Sequence, residues 1–238
     1  MSLDQEVQKL LKEIGSGRMN NTAYDTAWLA RLGEIGEPMG EQALEWLRNH
    51  QLEDGSWGAK QPYYYHDRVI CTLAAMNTLA RRGRVQDRAR LRRAEAALGT
   101  ATGGLASDPA GETVGFELIV PTLIAEVKVS GGIHREEKEI LRRLTPLRAA
   151  KLAALPDRMV NRFVTVAHSA EMAGPDGLHL IDLENLQEAN GSIGYSPSAT
   201  AYFCRYLQSK NTEALKYLGK VSKDGAVPNV VPFDIFER

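Results

Sequence analysis

The chain has 238 residues and only two cysteines, Cys71 and Cys204, with no Cys-x-x-Cys and no metal-like spacing. That excludes a disulfide scaffold and a zinc module, and it suits a reducing compartment. Long apolar runs are missing as well. The least polar stretch, Val69 to Ala80, is interrupted by Thr72, Asn77 and Thr78 and is too short to span a bilayer. Nor is there an excess of either charge: 29 basic and 30 acidic side chains leave a net −1. No field for general nucleic-acid binding results. Met1-Ser2-Leu3-Asp4-Gln5-Glu6 has neither a basic n-region nor an apolar h-region, and it is unlike an Arg- and Ser-rich transit peptide. A cytoplasmic chain is the expectation. What is present is ordinary globular composition, 43% hydrophobic and 25% charged, enough for one large domain or two small ones at about 150 residues each.

Helical periodicity dominates. Val7, Leu10, Leu11 and Ile14 fall at i, i+3, i+4 and i+7, ahead of Gly15-Ser16-Gly17. Further helices are predicted over 22–32, 41–50, 67–81, 86–98, 113–129, 135–144, 156–172, 197–207 and 212–221. The 67–81 segment is apolar on more than one face, as an inner helix is; 86–98, rich in Arg and Ala, reads as an outer one. No alternating β-branched run argues for a sheet, so the expected fold class is all-α.

Two connectors repeat each other. Gln51-Leu-Glu-Asp-Gly55-Ser-Trp57-Gly58 and Gln187-Glu-Ala-Asn-Gly191-Ser-Ile193-Gly194 both fit Gln-x-x-x-Gly-Ser-x-Gly, and Lys223-Asp224-Gly225-Ala226 is a weaker third copy. Repeated helix–glycine turn–helix units imply hairpins around a common centre. Glycine supplies a positive φ after the outer helix, Gln51 can satisfy backbone groups left open at a helix end, and Trp57 packs into the next hairpin.

Gln51-x-x-x-Gly55-x-Trp57 resembles the QW-type repeat of the α-barrel terpenoid cyclases. Thr22-Ala23-Tyr24-Asp25-Thr26-Ala27-Trp28 resembles a motif near the start of class II diterpene cyclases. Asp67-Arg68-Val69, Val114-Gly115-Phe116-Glu117 and Ser196-Pro197-Ser198-Ala199-Thr200-Ala201 follow in that family's order. The match runs from about residue 20 onward and is similar in particular to the γ domain of bacterial ent-copalyl diphosphate synthases. The resemblance implies an incomplete α-barrel of helical hairpins, with residues 1–238 forming a single γ-like domain.

It also implies site residues. The family pairs a Leu-His-Ser motif with a Pro-Asn-Val motif to hold a water that removes the last proton of the cyclised carbocation. The counterparts here are Ala167-His168-Ser169, with Ala in place of Leu, and Pro228-Asn229-Val230. A carbocation in an apolar cavity is so strong an acid that a hydrogen-bonded water serves as its base. His168 and Asn229 supply acceptor and donor groups without setting a carboxylate beside the cation. Read without the resemblance, His168 is a buried helix histidine bonded to a backbone carbonyl and Asn229 a turn residue. Lys151 occupies a position that contacts the allylic diphosphate in the family, and Arg238 one that the family links to how magnesium and substrate compete; a Lys point charge and an Arg fork both suit a diphosphate, and a solvated surface cation is the plain alternative for each. Asp108 and Glu112 fall where the family has a magnesium-binding segment, although their spacing departs from it and a capping Asp is the alternative. Trp28, Trp46 and Trp57 read as core, and Tyr63-Tyr64-Tyr65 lines either a cavity or an interface.

One motif is missing. Class II cyclases protonate an alkene with the middle Asp of Asp-x-Asp-Asp, which does not occur here, and Asp182-Leu-Glu184 is the nearest pattern. The class I motif Asp-Asp-x-x-Asp is absent too. The resemblance therefore implies the base-bearing half of a class II diterpene cyclase. That half would turn geranylgeranyl diphosphate into ent-copalyl diphosphate only with a separate β-domain protein that carries the acid. A non-catalytic module that stabilises a complete cyclase is the alternative, and a truncated piece of a longer cyclase is a third reading.

Overall fold

A computed structural model describes residues 3–14, 19–107, 113–127 and 135–230. Nine α-helices lie among them: α1 (Leu3–Ile14), α2 (Ala23–Ala30), α3 (Pro38–Asn49), α4 (Tyr65–Arg82), α5 (Arg88–Gly104), α6 (Phe116–Val127), α7 (Arg135–Ala153), α8 (Pro197–Tyr202) and α9 (Thr212–Val221). The described residues form no strand, only isolated bridges, so the all-α expectation holds.

Helices α2 to α9 pack as hairpins, α2 on α3, α4 on α5, α6 on α7 and α8 on α9. The first member of each faces inward. α2 and α4 bury residues all round, including Trp28, Leu29, Leu73 and Leu79, whereas α5 buries only Ala94, Ala97, Leu98 and Ala101. The inner helices run in one direction. At their C-terminal ends Arg31 after α2 donates to Glu126 of α6 at 2.9 and 2.8 Å. Arg81 of α4 and Arg205 after α8 both reach Glu34.

Each glycine turn is built alike, and here the repeat seen in the sequence becomes geometry. Gln51 Nε2 donates to Gly55 O at 2.8 Å and Gln187 Nε2 to Gly191 O at 2.9 Å. Asp54 and Asn190 each accept from the backbone N–H and hydroxyl of the serine two residues on. The next N–H is taken by an inner-helix threonine: Trp57 N by Thr72 of α4 at 3.1 Å and Ile193 N by Thr200 of α8 at 2.9 Å. Val227 N, after the third copy, donates to Thr26 of α2 at 3.3 Å. Gly55 and Gly191 both have φ of 91°. A Cβ there would stand 2.6 Å from Arg93 O and 2.3 Å from Glu213 O, so only glycine fits. The third turn closes the ring, because Thr22 N also donates to Val227 O at 3.0 Å.

One predicted helix is corrected. Residues 156–172 form no α-helix; turns lead into a 3-10 helix, Thr165–Ala173, with Ser169 out of helical geometry. Local chemistry wins over periodicity there. Asn161 Oδ1 accepts from Phe163 N at 3.0 Å, Arg158 has a φ of 59°, and Val160 N donates to Leu180 O at 2.8 Å. This segment packs against both α6 and α8, so it fills the gap between them with a 3-10 helix where other positions have an inner α-helix. Two other boundaries move: α7 continues through Pro146 to Ala153, and α8 passes into a π-turn, Phe203–Leu207.

α1 stands apart. Leu3, Val7, Leu10 and Leu11 share one face and are 76%, 45%, 58% and 63% exposed. No described helix is long and apolar enough to cross a membrane.

Candidate functional site

The N-terminal ends of the inner helices gather a buried polar cluster. Thr22 caps α2, its Oγ1 accepting from Asp25 N at 3.1 Å, and its hydroxyl bonds the Asp25 carboxylate. Asp25 is fully buried. Asn229 Nδ2 donates to Asp25 Oδ2 at 3.3 Å. Burial raises the Asp25 pKa, while Thr22, Ser198, Asn229 and the nearby His168 favour its charged form.

His168 sits on the 3-10 segment with Nδ1 at 3.0 Å from Gly194 O. A carbonyl only accepts, so Nδ1 carries the proton and Nε2 of the neutral ring keeps its lone pair. Gly194, the last glycine of the second repeat, is indispensable to this placement: a Cβ on it would stand 2.4 Å from His168 N. Of the two readings of His168, the carbonyl bond is present and the α-helix is not. The bond fixes the tautomer and leaves Nε2 as an acceptor.

Asn229 thus bonds the Asp25 carboxylate, and His168 lies near enough to favour its charge. The other expected site residues do not join them. Lys151, at the end of α7, is half-exposed and ion-paired with Glu117 at the start of α6, which lies in the Val114-Gly115-Phe116-Glu117 motif; that partner lowers the Glu117 pKa against its partial burial. Arg238, Asp108 and Glu112 lie outside the described residues. Asp182 and Glu184 are both bound by Arg158 at 2.5 and 3.0 Å, an arrangement for an ionised structural carboxylate and not for a general acid.

Asp25 and Glu171 were not singled out by sequence reasoning. Glu171 lies three residues beyond His168 and is 2% exposed. Its Oε1 accepts from Tyr24 OH at 2.9 Å and from Ser198 Oγ at 3.2 Å. Burial raises its pKa to about 7, and the Asp25 charge pushes in the same direction. The available signal was Asp25 inside an otherwise apolar helix: a carboxylate there needs a reason.

Of the tryptophans, Trp57 is core, with Nε1 donating to Leu47 O at 2.8 Å. Trp28 is buried and carries the Arg31 guanidinium 3.8 Å from its ring centre. Trp46 is only half-buried and stacks on His50 at 3.9 Å. Tyr63 lies exposed beneath Arg68. A cleft of about 940 Å³, lined by Asn21, Thr22, Asp67 and Arg68, opens beside the residues that pair with Val227 and Pro228.

This ring of helical hairpins is a terpene cyclase fold. Comparison with known proteins makes this specific. Over 231 residues the chain is 42% identical to the type B diterpene cyclase of Mycobacterium tuberculosis, covering 94% of this chain and 46% of that one. It is 31% identical over 254 residues to the chloroplastic ent-copalyl diphosphate synthase of Pisum sativum, covering all of this chain and 30% of that one. The solved ent-copalyl diphosphate synthase of Arabidopsis thaliana, in complex with (S)-15-aza-14,15-dihydrogeranylgeranyl thiolodiphosphate, superimposes with a TM-score of 0.79 at 28% identity, over 98% of this chain and 34% of that one. Abietadiene synthase from Abies grandis gives 0.81 at 27%, over all of this chain and 33% of that one. No family model matches. The chain is a homologue of the diterpene cyclases, and it spans less than half the length of these relatives.

Proposed function

We propose that the chain is the base-bearing γ unit, a single domain over residues 1–238, of a class II diterpene cyclase. It would act in the proton-initiated cyclisation of geranylgeranyl diphosphate to ent-copalyl diphosphate. The observation that carries this reading is the buried polar cluster that Asn229 joins through Asp25, with His168 near it and held by a backbone bond that leaves Nε2 as an acceptor. A water between that nitrogen and the Asn229 amide would face the cation as a neutral base. The cation's C–H bond breaks, its electron pair becomes the C=C bond, and the water takes the proton. Neither side chain is a carboxylate that would capture the cation as an ester.

The reaction also needs an acid, and Asp-x-Asp-Asp is absent from the sequence. The proposal therefore includes a separate β-domain partner that supplies it. The exposed apolar stripe of α1 supports a partner, since four large side chains on one helix face favour cover. Lys151 is the described candidate for the diphosphate, once Glu117 releases or shares it. Magnesium would accompany the diphosphate as a hard cation on oxygen ligands. The described residues hold no cluster of three metal-binding side chains, and Asp108 and Glu112 lie outside them, so no step is assigned to the metal. Two buried free thiols support a reducing, cytoplasmic setting.

The test is reconstitution. The chain alone should not form copalyl diphosphate from geranylgeranyl diphosphate; mixed with a β-domain protein carrying Asp-x-Asp-Asp, it should. In the active mixture, H168A and N229A should lower turnover and divert product to a hydroxylated diphosphate, because a misplaced water adds to the cation. Unchanged rate and product in both variants would overturn the assignment.

A further inference from the structure

The segment that carries His168 has no continuous helix to hold it. Ser169, directly after the histidine, leaves helical geometry with φ of −122° and ψ of 30°. The far end of the segment is open as well. Met172 and Ala173 close it, and the N–H that would reach Met172 O in a 3-10 bond belongs to Pro175, which has none. Such an end leaves carbonyls that need donors from elsewhere. One side chain supplies most of them. Arg148 of α7 donates Nη1 to Met172 O at 3.0 Å and Nη2 to Ala173 O at 2.6 Å, and Nη1 also reaches Leu118 O on α6 at 3.3 Å. Thr122 Oγ1 adds only a long bond to Met172 O, 3.4 Å. Arg148 is buried although residues 145–147 and 149–151 around it are exposed, so its guanidinium is turned inward. A buried cation is costly unless its charge is answered. Its carboxylate neighbour Asp176 is exposed and 3.9 Å away, which leaves the carbonyls as its hydrogen-bond partners. Gly174, with a φ of 64°, gives the guanidinium room: a Cβ there would press on Nη2 at 3.1 Å.

We propose that Arg148 is a positioning residue of the cyclisation: its guanidinium clamps the open end of the 3-10 segment and so sets where His168 Nε2 stands. The inference rests on the cyclase reading above. The segment is held at three places. On one side of Ser169, His168 Nδ1 bonds Gly194 O of the second repeat turn. On the other side, Glu171 takes bonds from Tyr24 of α2 and Ser198 of α8, and the last two carbonyls take theirs from Arg148 of α7. Only the third hold ties the segment firmly to the α6–α7 hairpin. Without it the chain swings about Ser169 and carries the imidazole along. A reacting group displaced by about 1 Å costs on the order of a hundredfold in rate, and a water no longer held in place adds to the cation instead of deprotonating it. Arg148 bonds neither His168 nor Asn229, so it acts through the backbone. Lys151 lies three residues further along α7 on its exposed side. One hairpin thereby seats the base and presents the candidate diphosphate ligand.

A cavity of about 460 Å³, lined by Pro121, Thr122, Arg148, Gly174 and Leu178 among others, opens beside the guanidinium and makes chemical rescue the test. In the reconstituted cyclase, R148A should lower kcat by about ten- to a hundredfold, hold KM within about twofold and raise the hydroxylated fraction. K151A should instead raise KM. Millimolar guanidinium chloride, entering the space left by the side chain, should recover at least about fivefold of the lost kcat, and sodium chloride of equal strength none. G174A, which keeps the arginine but crowds it, should shift the product in the same direction and less far. In the chain alone, the His168 imidazole resonances should move in R148A and return with guanidinium, while those of His50, stacked on Trp46, stay in place. Unmoved His168 resonances overturn the clamp whatever the enzyme does. So does a loss of kcat that guanidinium fails to recover, or an R148A chain with no cooperative melt, which would make Arg148 a residue of the fold at large. Absence of copalyl diphosphate from the wild-type mixture overturns the cyclase reading and leaves the resonance result standing.

Discussion

The two ends of the helical ring treat buried charge in opposite ways. At the C-terminal ends two carboxylates meet guanidinium: Glu126 takes a two-pronged bond from the buried Arg31, and Glu34 is held by Arg81 and Arg205. At the N-terminal ends Asp25 and Glu171 are buried among hydroxyls, with no described arginine or lysine bonded to either. Compensated charge clamps helices together, whereas uncompensated charge keeps a group ready to change its protonation state. The same contrast separates the clamped end from the end where His168 and Asn229 lie.

The largest expected effect breaks the clamped end. E126A leaves the Arg31 guanidinium buried with the Trp28 ring and Tyr206 to face it and no carboxylate. Because Glu126 is itself partly exposed, water recovers some of the loss, and a destabilisation of about 3 kcal/mol is expected by urea melting. The matched change at the other end, D25N, should cost no more than about 1 kcal/mol, since it removes a charge that no described Arg or Lys bonds and that only hydroxyls, an amide and the nearby His168 support. Equal losses would mean that Asp25 is a structural clamp as well.

Next in size is the Glu171 linkage. Its folded pKa of about 7 lies above the 4.5 of the free group, chiefly through burial. The folded state therefore holds a proton that the unfolded chain has already lost. Stability is full below about pH 4.5 and falls as pH rises through about 7, by an amount on the order of 3 kcal/mol. E171Q should flatten that slope between those limits in denaturation curves taken at several pH values. A smaller effect concerns G194A, whose Cβ would collide with the His168 backbone. A loss of about 2 kcal/mol is expected, together with displacement of the His168 ring, visible as altered imidazole resonances.

Why the ring was legible in the sequence and the cluster was not follows from the kind of interaction involved. The Gln51 and Gln187 turns are local, each closed by a bond to a glycine four residues on, so their pattern survives as a motif. Inner and outer helices differ in how many faces are apolar, and that too is written in order along the chain. The Asp25 cluster is assembled from residues far apart: 147 positions separate Tyr24 from Glu171, and 204 separate Asp25 from Asn229. No periodicity records such a meeting. His168 and Asn229 were found because family motifs mark them, while Glu171, one helical turn further on, looked like an ordinary acidic residue. The segment at 156–172 misled for a third reason: its apolar spacing is helical, but Asn161 and the pairing of Val160 with the 180–182 backbone give the chain other bonds to make.

The smallest effect gives the contrast its sharpest form, because its sign is opposite. Burial by itself pushes Glu34 up, but the guanidinium groups of Arg81 and Arg205 together outweigh it and hold the carboxyl at about 2, against 4.5 when free. Here the unfolded chain binds the proton first. The stability from this group is present above about pH 4.5 and is lost as pH falls toward about 2. Glu34 is only about half enclosed, so solvent screening reduces the contribution to about 1 kcal/mol. E34Q should therefore lessen the acid side of the stability profile, just as E171Q lessens the neutral side. The double variant E34Q/E171Q should show the sum of the two changes, since Glu34 and Glu171 share no hydrogen-bond partner among the described residues. A profile in which either change alone removed both slopes would mean that the two ends titrate as one unit, and the contrast between paired and unpaired carboxylates would be wrong.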